Sequence, residues 1–290
     1  EQAKRVKLIC LAFADRFCLD NKDIPCASVD PMIVETKGAP IKMKARPTPL
    51  AARQFLKEEI DSLVQAGVLK PVRDSMWAFP FVIVKKRSGG FRAAIDYRLI
   101  NNITTVPAYP IPRIEDLVQA VRGKEFLASI DMSSAYYQLP LDEASQEKST
   151  VISEYGLHSF TRVPFGMSGA VAHFQSRLEG ILAGARHGLD ADTQLLSNYL
   201  DDIIVGGNTF DGFESALIEF FKIFRLKNCR ISTKKSTFGV RQVEYLGFKV
   251  DHEKWFPDPD RLKALLERAP PKNLKEIRGL TSSLSFYNRF

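Results

Sequence analysis

The sequence is poor in the residues that build disulfide frameworks and zinc sites. Four cysteines stand in 290 residues, Cys10, Cys18, Cys26 and Cys229, with no C-x2-C or C-x4-C pair among them. Neither a cysteine-stapled scaffold nor a cysteine zinc site is encoded, and the even spacing of the first three suits burial as reduced thiols. The four histidines, His158, His173, His187 and His252, form no H-x3-5-H pair and no H-E-x-x-H helix, which excludes the common zinc hydrolase patterns. No apolar run approaches the roughly 18 residues of a membrane span. Internal repeats, low-complexity stretches and a D-[ST]-G aspartic-protease motif are also missing.

What is present is an ordinary globular mixture, 45% hydrophobic and 26% charged, long enough for about two domains or one domain with subdomains. The charge is segregated. A net +7 overall divides into +7 over residues 1–130, −9 over 131–220 and +9 over 221–290. An acidic centre between basic flanks points to polyanion binding around a site that concentrates carboxylates, as a metal site does. The chain starts Glu1-Gln2-Ala3-Lys4-Arg5, neither a signal peptide nor an initiator methionine, and reads as a piece of a longer polypeptide.

Periodicity predicts a short helix over 6–17 followed by extended chain, then an amphipathic helix capped by Thr48-Pro49 and stopped by Gly67. Two strands, 77–84 and 91–95, are joined by the basic turn Lys85-Lys86-Arg87-Ser88-Gly89-Gly90. There follow a helix over 113–121, a strand over 126–131, a helix over 169–182, an apolar hairpin over 194–207 and a helix over 213–226. Strands over 237–238 and 243–250 and helices over 260–267 and 274–287 complete the pattern, whose mixed order reads as α+β.

Asp201 and Asp202 lie side by side at the centre of the apolar hairpin, and Asp131 ends another apolar strand. Adjacent carboxylates repel one another, so they need exposure at a turn or a bound cation. Three carboxylates without clustered His or Cys suit hard cations such as Mg2+ or Mn2+.

Tyr199-Leu200-Asp201-Asp202 has the form Y-x-D-D. In chain order the sequence also carries Phe91-Arg92-Ala93-Ala94-Ile95-Asp96-Tyr97-Arg98, Tyr109-Pro110-Ile111-Pro112, Ser129-Ile130-Asp131-Met132-Ser133-Ser134-Ala135-Tyr136, Val163-Pro164-Phe165-Gly166-Met167 and Tyr245-Leu246-Gly247-Phe248. From about residue 40 onward these blocks resemble the reverse transcriptases of gypsy-type LTR retrotransposons, kin of the retroviral enzymes. The resemblance implies an α+β right-hand polymerase fold whose mixed or antiparallel palm sheet packs on helices. It implies a leader or linker from an upstream Pol segment over 1–47, mainly fingers over 48–125 and mainly palm over 126–250. A fingers insertion would lie near 140–165 and a truncated thumb over 251–290, without connection or RNase H segments.

It further implies that Asp131, Asp201 and Asp202 hold two Mg2+ or Mn2+ ions for nucleotidyl transfer. Lys85 and Arg92 would contact the triphosphate of the dNTP, with Ser134 and Ala135 meeting it through backbone amides. Tyr136 would act as the gate against a 2′-hydroxyl, and Phe165-Gly166 would lie beside the nascent pair. Tyr199, Leu200, Leu246 and Gly247 would contact the primer or template. Basic residues of the last block, among them Lys234, Lys235, Lys249 and Arg278, would meet duplex phosphates. The implied partners are RNA and DNA template–primer duplexes, dNTPs, and a second copy or other Pol segments, with no membrane. The implied setting is the cytoplasm, within virus-like particles of a eukaryotic host.

Two departures stand out. Met76 replaces the proline of a Ser-Pro-Trp opening, and Ser168-Gly169-Ala170-Val171-Ala172 lacks the proline usual in that stretch. A catalytically silent polymerase fold and a two-metal nuclease stay open as alternatives; the nuclease shares the acids but has no use for Lys85, Arg92 and Tyr136.

Overall fold

The computed structural model describes residues 1–18, 23–86, 89–285 and 287. At its centre is a four-stranded antiparallel sheet whose order across the sheet is Gln194–Tyr199, Asp202–Gly207, Phe126–Asp131 and Thr237–Val240. Side chains alternate across a strand, and this sheet uses both faces. Phe126, Ala128, Ile130, Ile203 and Val205 enter the main core. Leu127 and Ile204, one step out of phase, enter a second and smaller core with Val118, Val121, Val243, Tyr245 and Phe248.

The main-core face is covered by helices Ala170–Arg186 and Phe210–Leu226. The second of these buries Phe213, Leu217, Phe220, Phe221 and Phe224 at helical spacing. It starts at Phe210, three residues before the expected start, because Thr209 Oγ1 accepts the Gly212 N–H at 3.2 Å and caps it. Strand and helix meet closely: a Cβ on Gly207 would lie 2.3 Å from the Phe213 backbone nitrogen. The second core is closed by helix Ile114–Ala120 and by a small antiparallel sheet of Gln242–Tyr245, Phe248–Asp251 and Trp255–Pro257.

A second large sheet runs Leu69–Val72, Gly156–Phe160, Val151–Ser153, Phe79–Lys85 and Phe91–Ile95. Phe79–Lys85 pairs parallel with Val151–Ser153, and the other pairings are antiparallel. Helix Arg53–Gln65 packs beside it. The helix expected to be capped at Thr48 begins at Arg53 instead: Pro49 is extended (φ −51°, ψ 136°), Leu50–Ala52 form a 3-10 turn, and no side chain caps the helix. Of the basic turn between strands Phe79–Lys85 and Phe91–Ile95, Arg87 and Ser88 lie outside the described residues.

Residues 1–18 clasp helix Phe210–Leu226. The N-terminal helix is Gln2–Ala12, shorter at its end than the expected 6–17, because Phe13 leaves helical geometry and stacks on Phe221 at 5.2 Å. Arg5 pairs with Glu214, Arg225 with Asp15, and Phe17-Cys18 runs parallel to Ile231-Ser232. Further on, Met32 and Val34 are buried in the main core, and Val34 N–H donates to Ser145 Oγ at 2.8 Å. At the other end, helices Pro259–Leu266 and Leu274–Ser285 bury none of their residues. Among the described residues no helix is long and apolar enough to cross a membrane.

Candidate active site

The sheet register brings two of the three carboxylates together. Asp202 is the Cα partner of Asp131 on the neighbouring strand, so both leave the sheet on one face, the face of Ser129 and Ile204 that turns away from the two long helices. Asp201 sits in the two-residue turn that joins Tyr199 to Asp202. Asp131 and Asp202 border a cleft of about 470 Å³ lined also by Ser129, Lys235, Thr237, Glu244, Leu246, Gly247 and Arg261.

The electrostatics follow from this crowding. Burial raises the Asp131 carboxyl above its ordinary value, and Lys235 Nζ, 3.3 Å from Asp131 Oδ2, works against that rise. Burial, then the charges of Asp201 and Asp131, push Asp202 up to about 6. The Ser236 hydroxyl accepts the Asp131 N–H at 3.2 Å and fixes the strand end. Anionic oxygens held half out of water against one another are a place where a cation gains most, and Lys235 already answers part of that demand.

Among the described residues no three His, Cys, Asp or Glu groups converge into a ready-made metal cage. That arrangement still fits Mg2+, which keeps several waters and is bound at polymerase sites by one or two carboxylates plus substrate phosphates. Asp131 and Asp202 are the pair that would hold it, with Asp201 adjoining.

Backbone strain marks the same residues. Four non-glycine residues among those described take positive φ: Ser134 (47°), Leu200 (51°), Asn228 (53°) and Leu246 (52°). Asn228 ends a helix, where asparagine is common. The other three are candidate site residues. A leucine in this region costs about 1–2 kcal/mol, and such strain persists where surrounding contacts over-determine it, often at functional sites. Leu246 and Gly247 (φ 87°) form a two-residue turn between paired Tyr245 and Phe248, with both central φ values positive. Gly247 O accepts the Asp258 N–H at 3.4 Å.

Near Asp201, four rings meet. Tyr136 lies 5.0 Å from Phe165 and 5.0 Å from Phe174, and Tyr137 lies 5.2 Å from Phe165. Burial raises the Tyr136 hydroxyl, and the Asp201 charge adds to it. Ala135 is buried, while Phe165 stays 42% exposed at the mouth of a second cleft of about 320 Å³ shared with Arg92, Tyr137 and Gly166. Lys86 lines this cleft and Lys85 does not. Val84 pairs with Arg92 and Lys85 with Phe91, so the Lys85 and Arg92 side chains leave the ribbon on opposite faces.

Residues 84–250 match the family described as reverse transcriptase (RNA-dependent DNA polymerase). The chain belongs to the reverse transcriptase family. It is 28% identical over 256 residues to the retrovirus-related Pol polyprotein from transposon opus of Drosophila melanogaster, which covers 87% of this chain and 25% of that protein. It is 27% identical over 280 residues to the Pol polyprotein from transposon gypsy of the same fly, covering 94% and 26%. The chain thus spans about a quarter of the length of these relatives. Among solved structures it matches the foamy viral protease-reverse transcriptase dRH in complex with dsDNA, with a TM-score of 0.88 at 21% identity, over 98% of this chain and 49% of that one. The same viral protein in complex with RNA/DNA hybrid matches with a TM-score of 0.84 at 20% identity, over 98% and 38%. The α+β right-hand polymerase fold expected from the motifs is the fold found.

Three contributors escaped the sequence reading. Asn101, in the short helix Arg98–Ile103, donates through Nδ2 to Gly166 O at 2.8 Å and accepts the Ser168 N–H at 2.8 Å, bracing the Phe165-Gly166 loop. Tyr137, to which the motifs give no role, joins the ring cluster through Phe165. Lys235, expected among the duplex-phosphate contacts, also reaches Asp131, and no sequence signal marks that contact because it depends on how the chain folds back onto the strand end. The two departures also have local accounts. The Met76 N–H, which proline would lack, donates to Glu147 Oε1 at 2.8 Å, and Gly169 (φ 84°) starts the helix in place of a proline-stiffened turn.

Proposed function

We propose that this chain is the polymerase part of an RNA-directed DNA polymerase, extending a primer with dNTPs on RNA or DNA templates. The observation that carries the reading is the register of Asp131 opposite Asp202, beside the Asp201 turn, on the open face of the sheet. When bound there by Asp131, Asp201 and Asp202, two Mg2+ or Mn2+ ions would lower the barrier by activating the attacking hydroxyl and neutralising charge at the α-phosphate. Arg92 would offer a fixed fork for phosphate oxygens and Lys86, which lines the same cleft, a mobile point charge, whereas Lys85 leaves the ribbon on the opposite face. Backbone amides at Ser134 and Ala135 would meet the triphosphate. Tyr136, seated between Phe165 and Phe174, is a rigid wall against a sugar 2′ substituent, and Phe165-Gly166 would border the new base pair. Tyr199, Leu200, Leu246 and Gly247 rim the acids where a primer end would lie.

The corresponding division is fingers mainly over 48–125 and part of 140–165, palm mainly over 126–250, and thumb from 251 onward. Residues 1–47, expected as a leader from an upstream segment, pack into the main core through Phe13, Met32 and Val34 and so go with the polymerase part. Foamy viral relatives titled as complexes with dsDNA and RNA/DNA hybrid support template–primer duplexes as partners. Relatives that are retrotransposon Pol polyproteins support a setting in virus-like particles of a eukaryotic cytoplasm.

Primer extension on an RNA template, with Mg2+ or Mn2+, tests the reading. The wild-type chain should incorporate dNTPs, and Asp131→Asn, Asp201→Asn and Asp202→Asn should each lower the rate by on the order of 10³-fold or more. Full activity in the aspartate variants overturns it. Cleavage of an RNA–DNA hybrid without triphosphates would point to a nuclease instead.

A further inference from the structure

Helix Ala170–Arg186 buries seven residues, and Gln175 is the one with a polar side chain. A buried carboxamide is costly unless its donors and acceptors are met. Gln175 Oε1 accepts the Leu200 N–H at 2.8 Å and Asn198 Nδ2 at 3.3 Å, while Nε2 donates to Glu179 Oε2 at 3.2 Å. Asn198 Nδ2 also approaches Leu200 O at 3.4 Å. Glu179 is held in turn by Arg186 Nη1 at 2.9 Å, and Arg186 Nε donates to Leu196 O at 2.7 Å, closing the circuit onto the hairpin.

This circuit dictates which end of the carboxamide faces the turn. A carboxylate at 179 only accepts, so it selects the Nε2 end and leaves the oxygen for Leu200. The Leu200 N–H lies outside the ladder that pairs Tyr199 with Asp202, and Leu200 is the strained leucine of that turn, with φ 51°. A conformation that leucine resists is thus tied to a fully buried acceptor on another element.

We infer that Gln175 is a positioning residue for nucleotidyl transfer, its carboxamide oxygen holding Leu200 in its left-handed conformation and so setting Asp201 and Asp202 against Asp131. The inference rests on the polymerase reading. Asparagine is too short to span the same gap, methionine keeps the length without the acceptor, and glutamate sets a second carboxylate against Glu179.

The test compares wild type with Gln175→Met in single-nucleotide extension and in amide hydrogen exchange of the 195–204 hairpin. In Gln175→Met, kcat should fall on the order of 10- to 100-fold with KM for dNTP within about threefold. The turn amides should exchange about tenfold faster while amides of helix Phe210–Leu226 keep their protection. A folded Gln175→Met chain with wild-type kcat and wild-type turn protection overturns the inference. Should that variant fail to fold, the exchanged pair decides. Gln175→Glu alone should be slow, and adding Glu179→Gln restores a donor to face it and should recover rate. A double variant no faster than Gln175→Glu overturns the inference. If wild type extends no primer, the polymerase reading fails, and the exchange measurement still decides whether Gln175 holds the turn.

Discussion

Asp202 carries a cost that its chemistry requires. Its proton is held up to about 6 where the ordinary carboxyl value is 3.8. A value raised in the folded chain means that the native state binds the proton more tightly than the unfolded one. The group's contribution to stability is therefore present in acid and is lost as pH rises from about 4 through about 6. At neutral pH the metal-free chain bears the repulsion in full. Asp202→Asn should raise the metal-free stability at about pH 7 by about 1–2 kcal/mol, with the gain fading near pH 4, in thermal unfolding with EDTA. A lower midpoint at neutral pH would mean that the carboxylate is held by favourable partners instead. The same substitution removes activity, a conflict between stability and function common at such sites. The three carboxylates were legible in the sequence because they interrupt or end apolar runs. Lys235 against Asp131 was not, since that contact depends on how the chain folds back before the Thr237–Val240 strand.

At the scale of elements, the hairpin 194–207 was readable because its apolar run is continuous and its break is a pair of acids. Strands Leu69–Val72, Val151–Ser153 and Gly156–Phe160 were not, being short and interrupted by Pro71, His158 and Ser159. Pro71 is tolerated because its strand lies at the sheet edge. The buried Ser159 of strand Gly156–Phe160 is satisfied by a pair no pattern reveals, its Oγ lying 2.8 Å from Thr150 Oγ1. The joint between hairpin and helix is the least forgiving of these elements. The Cβ added by Gly207→Ala would collide with Phe213 backbone atoms at 2.3 and 2.7 Å, which cannot rotate aside. The variant should lose about 3 kcal/mol or more in urea unfolding, whereas Gly180→Ala, with open space around its Cβ inside a helix, should gain up to about 1 kcal/mol. Equal stability for the two alanine variants would contradict the close approach.

For the whole molecule, the charge division matches the fold. The acidic block contains the hairpin, helix Ala170–Arg186 and the first part of helix Phe210–Leu226, and the basic blocks contribute the ribbon of Arg92 and the exposed C-terminal helices. Binding to a template–primer duplex should weaken steeply with salt, by on the order of 10³-fold between roughly 50 and 200 mM if about six phosphates are contacted. Fluorescence anisotropy of a labelled duplex measures this, and a flat salt response would exclude the basic flanks from the interface. Charge blocks alone named a polyanion; the ordered motifs and the register were needed to say where its reacting end would lie.

The N-terminal clasp sets a timetable for synthesis. Asp15 meets Arg225 and Phe17 meets Ile231 across more than two hundred residues. A ribosome adding about 5–20 residues per second needs roughly 10–40 s to deliver the partner surface after the clasp has emerged. Through that interval Phe13 has no ring to stack on, and the exposed nascent segment is open to chaperones and proteases. Cleavage of ribosome-bound chains near residues 1–18 should stop only once translation has carried helix Phe210–Leu226 and Ile231 clear of the exit tunnel. Protection of much shorter chains would mean that the N-terminal segment finds an earlier partner.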